Sequence, residues 1–317
     1  MFSFFARHRV QPSPMDPARQ DGEKRADGFI SGNRIATIPR LKHCSAEWFL
    51  TLALFGRDDD RRRMDSKKTS LVYGRNAGFK GWFIGTCIRQ KWLWDAFCID
   101  HCRDLYLFQL GLLRHSLRHD DAFLKLHASL CRDNISMQSL RERYNLWQLV
   151  KQTRHVAGDL AEVGVAGGGT ARLMCEVKGD KKLHLFDTFE GMPETDKSKD
   201  GIFTKGDFST VRLDRTKNYL KAYSNVVFHP GFFPDTTSVL EPDTRFSFVH
   251  LDADIHRSTL DGLNYFYPRL NRGGVIVSHD YSHVTTPGVK MAFDEFFKDK
   301  PELVLPLWDT QCAVTKT

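Results

Sequence analysis

No stretch of this 317-residue sequence is apolar for long enough to cross a bilayer. WFLTLALF and YLFQLGLL are about eight residues each, against the ~20 that a spanning helix needs. The opening MFSFFARHRV is likewise too short an apolar run for a secretory leader, and Asp16, Asp21, Glu23 and Asp27 soon follow it. Cysteine is sparse and unpatterned: there are seven, an odd number without repeating spacing, which excludes a disulfide framework. Cys98 and Cys102, with His101 between them, form a single C-x-x-x-C without a second pair, and read as buried thiols rather than a metal site. These absences predict a reducing, soluble, cytoplasmic setting with no membrane contact.

What is present is a globular composition with an uneven charge. The chain is 41% hydrophobic and 12% aromatic, enough to fill a core, and carries a net charge of +7. Residues 1–150 hold 25 Lys and Arg against 16 Asp and Glu; the remainder holds 21 against 23. The basic excess therefore belongs to the N-terminal half. Residues 1–42, rich in Pro, Gly, Arg and Asp without periodicity, read as a flexible basic arm. Residues 43–135 read as a helical accessory region, and 136–317 as the catalytic domain. A basic half containing Trp82, Trp92 and Trp94 raises the alternative of an RNA-binding protein. The excess is modest, however, and DDDRRR neutralises itself. The tryptophans are better read as core or oligomer-contact residues, and no nucleic acid is expected.

From Asp159 onward the texture is strand, glycine turn, helix, strand. LAEVGV, KLHLFD, NVVFHP, FSFVHLD and GGVIVSHD alternate with helical stretches such as STLDGLNYFYPRL and PGVKMAFDEFFKD. This pattern predicts an α/β fold with a doubly wound, mostly parallel, Rossmann-like sheet. ELVLPLWDTQCAVTKT reads as a closing antiparallel hairpin around Trp308-Asp309-Thr310. MQSLRERYNLWQLVKQTRHV suits an amphipathic helix leading into the domain.

AEVGVAGGGTA sets Gly164, Gly167, Gly168 and Gly169 between a strand and a helix, where backbone can approach a ligand closely. The spacing is not the G-x-G-x-x-G of a dinucleotide site. Asp187 ends the next strand, where an acid can accept from a ribose diol. Glu162, the loop glycines Gly164, Gly167 and Gly168, and Asp187 together predict an adenosyl cofactor. Of the two candidates, a nicotinamide dinucleotide wants helix-terminal amides for its pyrophosphate, while S-adenosylmethionine has no phosphate and fits this loop better.

EVGVAGGGTA, LFDTFEGMPETD, HPGFFPDTT, FVHLDADIHRST and GGVIVSHDY, in that order, resemble the macrocin and novobiocic-acid O-methyltransferase family. The resemblance covers roughly residues 137–317 and implies a class I methyltransferase sheet, with the preceding residues as an N-terminal helical extension. It also implies S-adenosylmethionine as cofactor with Thr170 beside it, Mg2+ as divalent cation, and a sugar or glycosylated small molecule as hydroxyl acceptor. A catechol-like phenol is the alternative acceptor, and a homo-oligomer the expected assembly.

The acid pair Asp252 and Asp254 poses its own question, because two carboxylates follow the largely apolar FSFVHL. If strand geometry persists, residues i and i+2 face the same way, so both acids would look into one volume. The plain alternative has Asp254 or Ser258 capping the following helix. In the resembling family the first aspartate is a metal ligand, the second the proposed general base, and two adjacent aspartates after the next strand complete the site. Carried over, Asp252 is a ligand that also borders the cofactor, Asp254 is the base, and His279-Asp280 occupies the paired-aspartate position. His279 departs from the pattern and leaves three versions open: a site of Asp252 and Asp280 alone, a mixed site for a softer metal including His279, or no metal with His279 as base. His256 is a further candidate base, and His250, inside the strand, reads as structural.

Overall fold

The computed structural model describes residues 78–111 and 115–317. The arm expected over residues 1–42 and the start of the accessory region lie outside them. Helix α1 (Gly78–Gln109) is followed by a helical turn at His115–Arg118 and by α2 (Asp121–Asp133). Asp120 starts α2 by accepting from Phe123 N at 3.1 Å, and Asn134 ends it in the left-handed region at φ 54°. Helix α3 (Leu140–Gln152) opens with a capping box in which Ser139 Oγ accepts from Glu142 N and Glu142 accepts from Ser139 N. Among the described residues no helix is long and apolar enough to cross a membrane.

Seven strands follow: β1 (Asp159–Val163), β2 (Leu183–Asp187), β3 (Val226–Pro230), β4 (Phe246–Leu251), β5 (Leu270–Ser278), β6 (Leu305–Pro306) and β7 (Cys312–Thr315). Their order is β3-β2-β1-β4-β5-β7-β6. The first five in that order run parallel, and β7 is antiparallel to both neighbours. Helices α4 (Gly169–Val177), α5 (Leu213–Leu220), α6 (His256–Phe266) and α7 (Pro287–Phe297) complete the fold. The expected doubly wound sheet with its closing hairpin is therefore the observed one.

All six residues of β4 are buried, which explains why FSFVHL reads as continuous rather than alternating. The period of two survives in the packing. Phe248, Val275 and Val277 join the core beneath α1 to α4, while Val249, Leu251 and Ile276 join the core with Phe266 and Phe293 on the other face. The first of these cores is continuous through residue 135: Trp92, Leu107, Leu124 and Leu130 cluster with Leu146, Trp147 and Leu160. Trp92 is thus a core residue, while Trp94 is half-exposed and stacks on Phe97. Of the two cysteines read as buried thiols, Cys98 is buried and Cys102 only partly so; Cys131, Cys175 and Cys312 are buried free thiols as well.

Strand order reverses between β1 and β4, and a parallel sheet opens a crevice beyond its carboxyl ends at that point. Leu251 of β4 pairs with Ser278 of β5. One residue further on, Asp252 N donates to Val163 O at 2.9 Å and His279 N donates to Leu251 O at 2.9 Å. The strand ladder itself thereby fixes where Asp252 and His279 leave the sheet.

Candidate active site

A cavity of about 770 Å³ occupies this crevice, and both the glycine loop and the acid pair open into it. After β1 the chain turns at Gly164, φ +86°, where a Cβ would lie 1.8 Å from the Asp252 carbonyl oxygen. Only glycine permits that approach, and the approach is what joins the two halves of the site. The segment before α3 crosses the loop from the other side: a Cβ on Gly169 would lie 2.5 Å from Ser136 Cβ.

Asp187 holds the loop from beneath. Its Oδ2 accepts from Val165 N (2.8 Å) and Ala166 N (2.9 Å), and its Oδ1 accepts from Phe189 N (2.7 Å). Gly164, Gly167, Thr170, Asp187 and Asp252 all line the cavity. Glu162 and Gly168 are not among the lining residues. Glu162 is fully buried one layer behind, where its Oε1 accepts from the Thr170 hydroxyl and from His250 Nδ1 at 2.9 Å, and burial raises its pKa. His250 is structural, as its position within the strand suggested. It also extends a buried polar chain, because the Gln138 amide lies 3.4 Å from both His250 Nε2 and Asp252 Oδ2.

The acids come together by a different geometry from the one expected. β4 ends at Leu251, so strand alternation does not carry through Asp252 and Asp254. Asp254 instead adopts the left-handed region at φ +61°, as does Asp280. Aspartate tolerates this conformation better than most residues, and its cost is commonly found at functional sites. Asp254 and Asp280 line the same cavity, close enough for the two carboxyls to influence each other's ionisation. Burial first, then the charges of Asp280 and Asp252, push the Asp254 pKa well above the carboxylate range.

His279 sits among three carboxylates. Its Nδ1 is 2.9 Å from Asp280 Oδ2 and 3.2 Å from Asp252 Oδ1, and its Nε2 is 3.3 Å from Glu142 Oε1. Burial works against the imidazolium, but the charge of Asp252 and the contacts with Asp252, Asp280 and Glu142 outweigh it and raise its pKa well above the usual value. Neither Nδ1 contact has hydrogen-bond alignment, so this buried nitrogen has no hydrogen-bond partner. One ligand atom from each of Asp252, His279 and Asp280 lies within 4.8 Å of the others. In the neutral ring, a buried Nδ1 facing two carboxylates is the donor set a divalent cation accepts, with loss of the proton that the carboxylates otherwise hold there.

Three sequence-level alternatives change here. Neither Asp254 nor Ser258 caps α6; Asp200, 56 residues upstream, accepts from His256 N at 2.8 Å. His256 is buried away from the cavity with its ring 3.2 Å from Glu295, which removes it as a base. Glu142, Gln138 and Thr310 belong to the site and were not singled out from sequence. For Glu142 the S-x-x-E capping box was visible, but it marks a helix start and says nothing of what the carboxylate reaches. Burial pushes Glu142 up, yet His279, Thr310 and the Ser139 amide outweigh this and lower its pKa to about 2.

The arrangement can be set beside known proteins. The chain is 32% identical over 142 residues to 8-demethyl-8-(2,3-dimethoxy-alpha-L-rhamnosyl)-tetracenomycin-C 4'-O-methyltransferase of Streptomyces olivaceus, covering 40% of this chain and 54% of that protein. It is 28% identical over 178 residues to demethyldecarbamoylnovobiocin O-methyltransferase of Streptomyces niveus, covering 51% of this chain and 67% of that one. The chain thus spans about half to two thirds of the length of these relatives. Among solved structures, the O-methyltransferase NovP superposes with a TM-score of 0.50 at 25% identity, covering 57% of this chain and 82% of that one. CalS11, a calicheamicin methyltransferase, shares the fold with a TM-score of 0.52 at 16% identity, covering 73% of this chain and 92% of that one. The macrocin-O-methyltransferase family model matches residues 132–314, a span that runs from the end of α2 through the closing hairpin and takes in the glycine loop, Asp187 and the whole acid cluster. By that match the chain belongs to the macrocin-O-methyltransferase family.

Proposed function

We propose that this chain transfers the methyl group of S-adenosylmethionine to a hydroxyl of a sugar or glycosylated small molecule, with a divalent cation at Asp252, His279 and Asp280. The observation that carries this reading is the single cavity shared by the glycine loop and the acid cluster, joined where Gly164 meets the Asp252 carbonyl. At about 770 Å³ the cavity lies in the upper part of the range for ligand sites, suited to a nucleoside donor with an acceptor beside it. The name of the Streptomyces olivaceus relative describes 4'-O-methylation on a rhamnosylated tetracenomycin, which supports a glycosyl hydroxyl as acceptor.

S-adenosylmethionine supplies an electrophilic methyl group on a sulfonium. Loop residues 164–167, Gly169 and Thr170 bind the donor along the backbone, and Asp187 keeps that backbone in place through three amides. Its one remaining lone pair, on Oδ1, is available to a ribose hydroxyl. An alcohol is a poor nucleophile near neutral pH, so its proton needs an acceptor. Asp254 is that acceptor, half-buried on the cavity wall beside Asp252 and Asp280. Asp252, His279 and Asp280 would hold a divalent cation, whose positive charge would favour the ionised forms of the acceptor and of its neighbouring carboxylates.

The test is turnover with a panel of nucleoside-diphosphate sugars, glycosylated aglycones and catechols, with and without a chelator. Asp254→Asn is expected to keep S-adenosylhomocysteine binding while lowering turnover by roughly 10²–10⁴-fold, the usual loss for a general base. Near-normal turnover in that variant would remove Asp254 as base, and full activity in EDTA would remove the cation. Turnover confined to catechols would replace the sugar acceptor with a phenol.

A further inference from the structure

The family pattern puts carboxylates where this chain has His279, and the substitution raises a physical problem. Three acids already surround this position: Asp252, Asp280 and, from outside the sheet, Glu142. Glu142 stands on the first turn of α3, is 4% exposed, and belongs to none of the sheet's own loops. Donors hold both of its oxygens. Ser139 N reaches Oε2 at 2.8 Å, while Thr310 N at 3.2 Å and the Thr310 hydroxyl at 2.7 Å reach Oε1. The Thr310 hydroxyl in turn faces Asp280 N at 3.4 Å, so Glu142 is tied to the same loop end as the acid cluster.

A carboxylate so held is an acceptor only. The ring atom facing it, His279 Nε2, must then present its N–H, so that in the neutral ring a cation needs the lone pair falls on Nδ1, directed at Asp252 and Asp280. That matches the buried, unbonded state of Nδ1. An aspartate at this position would instead meet Glu142 as a like charge in a buried setting. Glu142 and His279 therefore make sense as a pair, and neither does alone.

We propose that Glu142 is a positioning residue that fixes the His279 tautomer, so that Nδ1 joins Asp252 and Asp280 in a mixed imidazole–carboxylate site preferring Mn2+, Co2+ or Zn2+ to Mg2+. This rests on the cation reading given above and adds the ion class and a residue outside the sheet. Carboxylate, histidine and cation in series is a common way to orient an imidazole ligand, and loss of the carboxylate partner typically weakens metal binding about 10–100-fold. Nitrogen donors suit the later first-row ions, whereas Mg2+ takes oxygen.

The experiment is Mn2+ titration of the full chain followed by electron paramagnetic resonance, with pulsed detection of coupling to the histidine nitrogen. Melting temperature and S-adenosylhomocysteine binding serve as checks on folding. The wild type is expected to bind one Mn2+ with nitrogen coupling and to prefer it to Mg2+. Glu142→Gln is expected to weaken Mn2+ roughly 10–100-fold. His279→Asp is expected to abolish the nitrogen coupling and to shift preference towards Mg2+; in that background Glu142→Gln should no longer weaken binding. If the wild type binds no divalent ion, the cation reading itself fails. Mn2+ bound without nitrogen coupling leaves that reading intact and overturns the proposal. So does unchanged affinity in Glu142→Gln. Equal weakening by Glu142→Gln in both backgrounds would trace the effect to the α3 capping box and overturn it as well. Should Glu142→Gln fail to fold, the His279→Asp coupling and ion preference decide the ligand assignment alone.

Discussion

Gly164 and Gly206 have the same backbone angle, φ +86°, in opposite surroundings. A Cβ on Gly164 would meet the Asp252 carbonyl oxygen at 1.8 Å, whereas a Cβ on Gly206 meets nothing within 4 Å. The pair separates conformational from steric cost. Alanine at either position pays for the left-handed conformation, about 1–2 kcal/mol. Alanine at 164 must also push apart the ends of β1 and β4 by more than an ångström of backbone, an overpacking cost of about 1–3 kcal/mol or above. Gly164→Ala should therefore melt roughly 2–12 °C below Gly206→Ala, at 2–4 °C per kcal/mol for a domain of this size. The displaced strand ends carry the glycine loop and Asp252, so S-adenosylhomocysteine should bind Gly164→Ala more weakly and Gly206→Ala as it binds the wild type. Calorimetric melting and titration of the two variants side by side give both numbers. Equal melting temperatures with equal affinities would refute the claim that Gly164 is where the two halves of the site are joined.

Two further outcomes follow from buried polar groups. His229 is buried against His184 at 2.9 Å, and burial followed by the His184 charge lowers its pKa to about 4. The unfolded chain takes up this proton near pH 6.5 and the folded chain only near 4, so stability is complete above about 6.5 and falls as the pH drops towards 4. The loss is on the order of 3 kcal/mol at most, and His229→Gln should flatten that part of a denaturant-stability profile; an unchanged slope would assign it elsewhere. Asp200→Ala removes the acceptor for His256 N and for Asp196 N, and should cost about 1–2 kcal/mol while making residues 193–207 easier to cleave with protease. Unaltered melting and cleavage would show that Asp200 does not fasten that loop.

The strands were legible because most of their buried side chains are apolar, with buried exceptions such as Glu162, His184, Ser247 and His250, and the helices because their apolar residues recur at helical spacing. β4, with all six residues buried, is the clearest case. The glycine loop and Asp187 were legible because both sit immediately after strands, where chain position fixes spatial position. The acid pair was legible as a pair but not in its geometry: left-handed turns at Asp254 and Asp280, rather than strand alternation, bring the carboxyls together. What stayed hidden came from elements distant in sequence. Asp200 caps a helix 56 residues away, and Glu142 reaches His279 from a helix that precedes the sheet. Local patterns report local partners: S-x-x-E can mark a cap but says nothing of a contact with a distant imidazole.

The central claim is that the cavity beyond β1 and β4 is a site for S-adenosylmethionine. Calorimetric titration with S-adenosylhomocysteine, paired with melting curves in its presence and in the presence of NAD, tests it most directly. A native-state ligand at 100 times its Kd contributes about 2.7 kcal/mol, which corresponds to a rise of roughly 5–11 °C in the melting temperature. One S-adenosylhomocysteine is expected to bind per chain with a rise of that size, and none is expected with NAD. A melting curve moved by NAD and left in place by saturating S-adenosylhomocysteine would contradict it.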